Sequence, residues 1–261
     1  PRSTLFPYTT LFRSPRWPIW DQERDEPQVL EVLRSGVWSR KKVVAEFERQ
    51  YAALIGTRRC LATTNGTMAL VTALNALEIG VGDEVLVGPY TFIASVNSIF
   101  AAGALPIFVD TDPTTWQVNP ERMEAKITPN TRAILPVHIY GLPADMTKIT
   151  AIAKKHNLLI VEDACQAWLS EINGRKCGSI GNLGCFSFQN SKHLTCGEGG
   201  AVVGNDDAVM NRAFSFHNFG GAYNEPDKAS GIVRAGVKCR LTEFQAAMLL
   251  AQMKQIGRAH V

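Results

Sequence analysis

The sequence predicts an α/β protein in which a mostly parallel central sheet is covered by helices on both faces. Short, continuous apolar runs typical of buried strands lie at 84–87, 105–109, 133–137 and 158–161. Helices with an apolar stripe are predicted between and around these runs. Strands that alternate with helices in this way favour a parallel sheet that is buried on both sides. The sequence shows no internal repeat and no linker that would divide the chain.

The other predicted elements follow in chain order. The first two helices span 27–35 and 43–55, and the second has one apolar stripe, formed by Val43, Val44, Phe47, Tyr51 and Leu54. Further strands are predicted at 60–63, 185–188 and 201–203. Further helices are predicted from Met68, after Phe92, and at 145–156, 206–214 and 241–253, with a glycine-rich loop at 218–232. These helices are predicted because apolar residues recur every three to four positions within them.

The composition is that of an ordinary globular protein, and it argues against several functions. The 261 residues are 46% hydrophobic and 20% charged, and a net charge of +3 is too small to indicate nucleic acid or an anionic membrane as a partner. No apolar stretch reaches the ~20 residues that a membrane-spanning helix needs. The six cysteines form no C-x-x-C pair, so we interpret them as reduced thiols of a cytoplasmic protein without a disulfide or metal framework.

Both ends of the chain look foreign to this fold. Residues 2–14 repeat Thr-Leu-Phe and Arg-Ser, have neither the pattern of a signal peptide nor helical periodicity, and resemble a translated sequencing adaptor. The tail at 256–261 looks similar. We therefore predict a non-native leader at 1–19, a folded domain at 20–255 and an adaptor-like tail at 256–261. Natural disordered arms are the alternative.

The segment 186–200 carries the strongest chemical signal, and Lys192 is its centre. A strand-like run leads into three polar residues and the lysine, and a Gly-Glu-Gly-Gly turn that must bring backbones close together follows. A lone lysine would be a solvated surface charge. Here, however, the buried run at 158–161 ends in Glu162 and Asp163, the latter 29 residues before Lys192. This places a carboxylate at the strand end, where open α/β sheets bind their ligands.

A lysine amine and a strand-end aspartate are the two groups that a pyridoxal phosphate site needs. The amine attaches the cofactor, and the carboxylate keeps the ring nitrogen protonated so that the ring accepts electrons. Lys192 and Asp163 are therefore the predicted catalytic residues. The turn Asn65-Gly66-Thr67 precedes a helix, whose free N–H groups and dipole would bind the cofactor's phosphate. The same turn is also a common helix cap.

The segment 186–200, the run Glu162-Asp163-Ala164-Cys165-Gln166-Ala167 and the turn at 65–67 together resemble the DegT/StrS-type sugar and cyclitol aminotransferases. The resemblance extends from about Trp20 to about Met253, and the motifs occur in the family's order. It implies the large domain of a fold type I aminotransferase with pyridoxal 5'-phosphate as cofactor. It also implies a homodimer whose active site lies between two subunits, and a small C-terminal domain that is absent here.

The resemblance assigns further residues to the cofactor. It places Phe92 on the face of the pyridine ring, Gln166 near the ring oxygen and Ser187 on the phosphate. The alternatives are core packing for Phe92, a helix cap for Gln166 and a hydroxyl satisfied by backbone for Ser187. Many relatives have an asparagine where Lys238 stands, and that asparagine reaches the phosphate of the neighbouring subunit. A lysine would also serve an anion there.

The activity implied by the resemblance is transfer of an amino group from glutamate or glutamine to a keto-sugar or keto-cyclitol. One branch of the family instead dehydrates sugars with a pyridoxamine cofactor and has histidine at the lysine position, whereas here His193 is only the neighbour of Lys192. A non-enzymatic regulator or partner subunit on the same fold is the other alternative. The sequence has neither the G-x-S-x-G motif of hydrolases nor the H-E-x-x-H motif of metalloenzymes.

Two further expectations follow from the implied absence of the small C-terminal domain. We expect the last helix to expose an apolar face formed by Phe244, Ala247, Met248 and Ala251. We also expect the chain as given to be a poor catalyst, since the small domain closes over the site in the family.

Overall fold

The computed structural model describes residues 21–221 and 234–254, and the structural statements below concern these residues. The predicted leader at 1–19, the tail at 256–261 and most of the loop at 218–232 lie outside them. The helices are α1 (Gln22–Ser35), α2 (Lys42–Ile55), α3 (Gly66–Ala76), α4 (Ile93–Ala101), α5 (Met146–His156), α6 (Asp207–His217) and α7 (Glu243–Met253). The strands are β1 (Arg59–Thr63), β2 (Glu84–Val87), β3 (Leu105–Phe108), β4 (Thr131–Leu135), β5 (Leu159–Asp163), β6 (Glu171–Ile172), β7 (Arg175–Lys176), β8 (Leu183–Ser187) and β9 (Gly200–Gly204).

The central sheet of the described residues has seven strands in the order β1-β9-β8-β5-β4-β2-β3. Strands β8, β5, β4, β2 and β3 are parallel to one another, and β9 lies antiparallel between β1 and β8. The predicted α/β fold with a mostly parallel sheet is confirmed. Strands β6 and β7 form a short separate hairpin that was not predicted. No helix in the described part of the chain is both long enough and apolar enough to cross a bilayer.

Helices cover both faces of the sheet. In β1, Leu61 packs into a cluster with α3 and α6, whereas Cys60 and Ala62 pack on the other face with α2 and α7. Under α5, a third cluster contains Leu86 of β2 and Ile134 of β4. Successive side chains of a strand point to opposite faces, so a strand covered on both sides is apolar throughout. The continuous apolar runs of the sequence have this physical cause.

The structure differs from the predicted elements mainly at the starts of helices. α1 begins at Gln22 rather than at Pro27, because Asp21 caps it and the polar residues 22–26 carry no apolar periodicity. α7 begins at Glu243 rather than at 241, because Thr242 forms a capping box with a glutamine three residues later. Capping contacts therefore set boundaries that apolar spacing alone does not show.

The last helix does not expose the apolar face that we expected from the sequence. Ala247 and Ala251 are buried, and Phe244 and Met248 are half-buried, because α7 packs against α1 and α2. The buried carboxylate of Glu243 strengthens this contact by accepting three backbone N–H groups around the start of α2, those of Lys41, Val43 and Val44 at 2.7, 2.9 and 2.9 Å. The expectation was wrong because helical spacing identifies the apolar face but not the elements that cover it.

His217, the last residue of α6, makes the stability of the fold depend on pH. It is 0% exposed, and its Nδ1–H donates to the carbonyl oxygen of Phe214 at 2.6 Å. Burial, together with the nearby charges of Arg40 and Arg240, lowers the pKa of the imidazole from 6.5 to about 4. Between these two pH values the unfolded chain binds a proton that the folded chain does not.

The contribution of His217 to stability is therefore complete above pH 6.5 and falls as the pH decreases toward 4, by up to about 3 kcal/mol. We expect the free energy of unfolding, measured with urea at pH 7 and pH 4.5, to decrease more in the wild type than in H217Q. Equal decreases in both proteins would show that His217 is not the group responsible.

Candidate active site

A cavity of about 690 Å³ lies at the carboxyl ends of β5 and β8, where α3 begins. It is lined by Asn65, Gly66, Thr67, Met68, Leu70, Phe92, Ala94, Asp163, Cys165, Gln166, Ser187, Gln189, Ser191, Lys192 and Glu198. Seven of the eight predicted site residues are in this lining, and Lys238 is the exception. The carboxyl ends of strands are where open α/β sheets bind ligands.

Asp163, the last residue of β5, is held by hydrogen bonds to both its side chain and its backbone. It is 5% exposed. Its Oδ2 accepts the hydroxyl of Ser95 at 2.7 Å, and its Oδ1 accepts the N–H of Cys165 at 3.1 Å. Its own N–H donates to Pro136, and its carbonyl oxygen accepts from His138, which continues the pairing with the chain after β4. The carboxylate is therefore fixed in one orientation in the cavity wall.

Lys192 lies in the turn after β8 and is half-buried in the same wall. Its backbone N–H donates to the carbonyl oxygen of Gln189 at 2.8 Å. The side-chain oxygen of Gln189 accepts both the N–H and the hydroxyl of Ser191, at 2.9 and 2.7 Å. The glycine turn that follows packs closely, as predicted, since a Cβ on Gly200 would collide with the carbonyl oxygen of Asn65. These contacts hold the lysine segment against the start of α3.

The start of α3 forms another part of the wall. Asn65 caps the helix, because its Oδ1 accepts the N–H of Met68 at 2.8 Å. Gly66 fits where no larger residue would, since a Cβ there would lie 2.8 Å from the Cβ of Ser187 and 3.1 Å from the Sγ of Cys165. The first turn of a helix leaves backbone N–H groups without intrahelical partners. This wall is therefore suited to an anion.

Replacing Gly66 by alanine is expected to lower the free energy of unfolding by about 1–3 kcal/mol, because the added methyl group must displace its neighbours. Gly80→Ala is the matched control, since its Cβ would meet nothing closer than 3.7 Å. The measurement is urea unfolding of both variants beside the wild type. Equal, small effects at the two positions would contradict tight packing around Gly66.

Three further predicted residues lie in the cavity wall. Phe92 is 69% exposed, so the alternative of core packing is wrong for it. Gln166 lies in a turn rather than in a helix, and its Oε1 accepts the N–H of Tyr140 at 2.9 Å, so it is not a helix cap. Ser187 is half-buried, and its Oγ accepts the N–H of Gln189 at 3.4 Å. Ser187 thus both lines the cavity and contacts backbone.

Lys238 is the predicted site residue that does not reach this cavity. It is exposed and pairs with Asn218 through an isolated β-bridge. The role implied by the resemblance was a contact with the phosphate of a neighbouring subunit, and this role stays a prediction.

The sequence analysis missed Ser95 and Cys165, both of which touch Asp163. Ser95 is fully buried in α4 beside Val96, Ser98 and Ile99, and since Ser98 is a second buried serine of the same helix, no local signal distinguishes Ser95. Burial, together with the carboxylate of Asp163, raises the pKa of the Cys165 thiol well above its ordinary value, and the charge of Lys192 opposes this only in part. Cys165 is therefore a neutral thiol in the cavity wall.

These groups fit pyridoxal phosphate. A fixed carboxylate suits the ring nitrogen, an amine suits the carbonyl carbon and a helix start suits the phosphate, and all three line one cavity. The cavity volume of about 690 Å³ lies within the ~300–1,000 Å³ usual for ligand sites.

The fold is that of the fold type I aminotransferases. A model of the DegT/DnrJ/EryC1/StrS aminotransferase family matches residues 20–260, and the chain belongs to this family. The resemblance drawn from the sequence motifs is thereby confirmed. Members of the family are pyridoxal-phosphate-dependent.

Individual relatives show the same relationship. The chain is 41% identical over 215 residues to a GDP-perosamine synthase of Caulobacter vibrioides, covering 82% of this chain and 57% of the relative. It is 38% identical over 264 residues to an L-glutamine:2-deoxy-scyllo-inosose aminotransferase of Streptoalloteichus tenebrarius, covering 95% and 62%. The structure of an aminotransferase from Psychrobacter cryohalolentis superposes with a TM-score of 0.88 at 39% identity, covering 93% and 63%. The chain thus spans less than two thirds of the length of these relatives.

Proposed function

We propose that the protein is an aminotransferase that uses pyridoxal phosphate to move an amino group from glutamate or glutamine to a keto-sugar or keto-cyclitol. The observation that carries this proposal is that Asp163, at the end of β5, and Lys192, in the turn after β8, line one cavity. The relatives support the substrate classes, since one is named a GDP-perosamine synthase and another an L-glutamine:2-deoxy-scyllo-inosose aminotransferase.

The two catalytic residues divide the chemistry between them. When bound, pyridoxal phosphate supplies a ring that accepts electrons from the reacting carbon. Nζ of Lys192 would hold the cofactor covalently, and the same amine would accept and return the proton of the reacting carbon. Asp163 holds a proton on the ring nitrogen, because a fixed carboxylate stabilises a cationic N–H partner.

The other residues bind and orient the cofactor. Gly66 and Thr67 offer backbone N–H groups of a helix start to the phosphate, and the hydroxyl of Ser187 adds a donor. Phe92 and Gln166, which line the same cavity, would hold the pyridine ring and its oxygen. We further propose a cytoplasmic homodimer in which Lys238 of one copy approaches the phosphate bound by the other.

The two alternatives have less support. Dehydration with a pyridoxamine cofactor would need histidine in place of Lys192, whereas His193 is exposed and is not among the residues that line the cavity. A regulator without enzymatic activity would have no use for a lysine and a fixed carboxylate that line the same cavity.

The half-reaction with the amino donor tests the proposal without knowledge of the acceptor. Protein loaded with pyridoxal phosphate is mixed with L-glutamine or L-glutamate, and the visible absorbance is followed. We expect the absorbance of the bound cofactor to change with an L-amino donor and to be unaffected by the D-enantiomer. If no amino donor changes the spectrum of the loaded protein, the proposed function is wrong.

A further inference from the structure

Two hydroxyl groups lead to the carboxylate of Asp163 from the start of α4. Ser95 is 0% exposed, and its hydroxyl lies 2.7 Å from Oδ2 of Asp163. The hydroxyl of Thr91, which is half-buried, lies 2.7 Å from the Oγ of Ser95. Both distances are those of good O–H···O hydrogen bonds. The three groups therefore form one connected chain.

The direction of both bonds follows from the number of protons. An ionised carboxylate only accepts hydrogen bonds, so Ser95 must donate its single hydroxyl proton to Asp163. The oxygen of Ser95 is then the acceptor in the second bond, and Thr91 is the donor. Both hydroxyl dipoles point toward the carboxylate, and hydrogen bonds in such a chain strengthen one another.

Two neutral donors bind the side-chain oxygens of Asp163. Oδ2 accepts the hydroxyl of Ser95, and Oδ1 accepts the backbone N–H of Cys165 at 3.1 Å. A neutral donor orients a carboxylate without cancelling its charge, whereas an arginine or lysine would compete with any cationic partner. Each oxygen retains accepting capacity after one bond.

We infer that Ser95 and Thr91 are positioning residues that act through Asp163, holding its carboxylate oriented so that its remaining accepting capacity serves the ring nitrogen of the cofactor. The inference rests on the proposed function, which gives Asp163 that task. Ser95 is buried and Thr91 is half-buried, and both lie among the described residues.

Ser98 provides a matched control within the same helix. It is also 0% exposed, but its hydroxyl donates to the backbone carbonyl oxygen of Ser95 at 2.8 Å and not to Asp163. Ser98→Ala thus removes a buried hydroxyl of α4 while the chain of hydrogen bonds to Asp163 stays intact.

The test measures the dissociation constant of pyridoxal phosphate and the pH dependence of its visible spectrum when bound. Loss of a hydrogen bond to a charged group is expected to weaken binding ~10-fold or more in S95A. The spectral midpoint should also move along the pH axis in S95A, because the ring nitrogen loses part of its stabilisation. The dissociation constant of S98A should be within ~2-fold of the wild-type value, because the hydrogen bonds from Thr91 and Ser95 to Asp163 are unchanged in this variant.

A second pair of variants tests the outer hydroxyl at a half-buried position that tolerates substitution better. T91V keeps the shape of threonine but removes the hydrogen-bond donor, and it is expected to weaken cofactor binding ~3-fold. T91S retains the donor and should bind the cofactor as the wild type does.

In a D163N background, S95A should change the affinity for the cofactor by less than ~2-fold, since the residue through which Ser95 acts is already altered.

The outcomes separate this inference from the proposed function. The inference is overturned if S95A and S98A have the same affinity for the cofactor and the same spectrum. It is also overturned if S95A weakens binding equally in the wild-type and D163N backgrounds. Neither result would contradict the proposed function. If S95A does not fold, equal binding by T91V and T91S overturns it. A wild-type protein that binds no pyridoxal phosphate would overturn the proposed function together with the inference.

Discussion

Replacing Lys192 by alanine is expected to abolish covalent attachment of pyridoxal phosphate and to slow amino transfer by at least ~10³-fold. The substitution removes the amine that binds the cofactor and also the group that moves the proton, and proton transfer alone is worth ~10²–10⁴-fold. The measurement is borohydride reduction of the loaded protein followed by peptide mapping. In the wild type, the reduced cofactor should be attached to Lys192.

Two controls make this result specific. Lys154→Ala removes an exposed lysine of α5 and should leave the label and the rate unchanged. A small primary amine such as methylamine should recover part of the rate in K192A, because a free base can enter the cavity and replace the missing one. Attachment to a different lysine in the wild type would show that Lys192 is not the attachment site.

The presence of Asp163 and Lys192 in one cavity was predictable from the sequence because each residue leaves a local signal. A parallel strand buried on both faces is a continuous apolar run, and the residue at its carboxyl end borders the ligand crevice. Asp163 ends such a run, and Lys192 follows another between polar residues and a glycine turn. The helix start at Gly66 is equally local, because a cap, a glycine and a hydroxyl are neighbours along the chain. Phe92, Gln166 and Ser187 came instead from family resemblance.

Contacts between distant segments were not predictable. Ser95 donates to a carboxylate 68 positions later, and Glu243 caps a helix 200 positions earlier. Neither residue differs locally from an ordinary helical serine or glutamate. The order of the strands in the sheet, and the packing of α7 against α1 and α2, likewise depend on contacts between segments that are distant in the sequence. Apolar periodicity identifies a face that must be buried, but it does not identify the partner.

Replacing Asp163 by asparagine is expected to leave pyridoxal phosphate bound while turnover falls at least ~100-fold, equivalent to about 2.7 kcal/mol of activation free energy. The asparagine has nearly the same shape and retains a carbonyl oxygen that can accept from Ser95, whose hydroxyl lies 2.7 Å from Oδ2. It lacks the negative charge that holds a proton on the ring nitrogen. Binding should therefore persist, at lower affinity, through the phosphate and Lys192, whereas electron withdrawal by the ring should be lost. Cofactor content and the rate of the half-reaction with L-glutamine measure the two effects separately.

A modified cofactor distinguishes the charge from the shape of the Asp163 side chain. In N-methyl pyridoxal phosphate the ring nitrogen is permanently cationic, so it needs no carboxylate to keep it so. D163N loaded with this cofactor should recover a large part of the lost rate, whereas the wild type should gain nothing, because its ring nitrogen is already cationic. Since a tenfold rate difference is about 1.4 kcal/mol, a D163N variant within tenfold of the wild type would exclude the ring-nitrogen role of Asp163. A D163N variant that stays equally slow with both cofactors would show that the residue acts through its geometry and not through its charge.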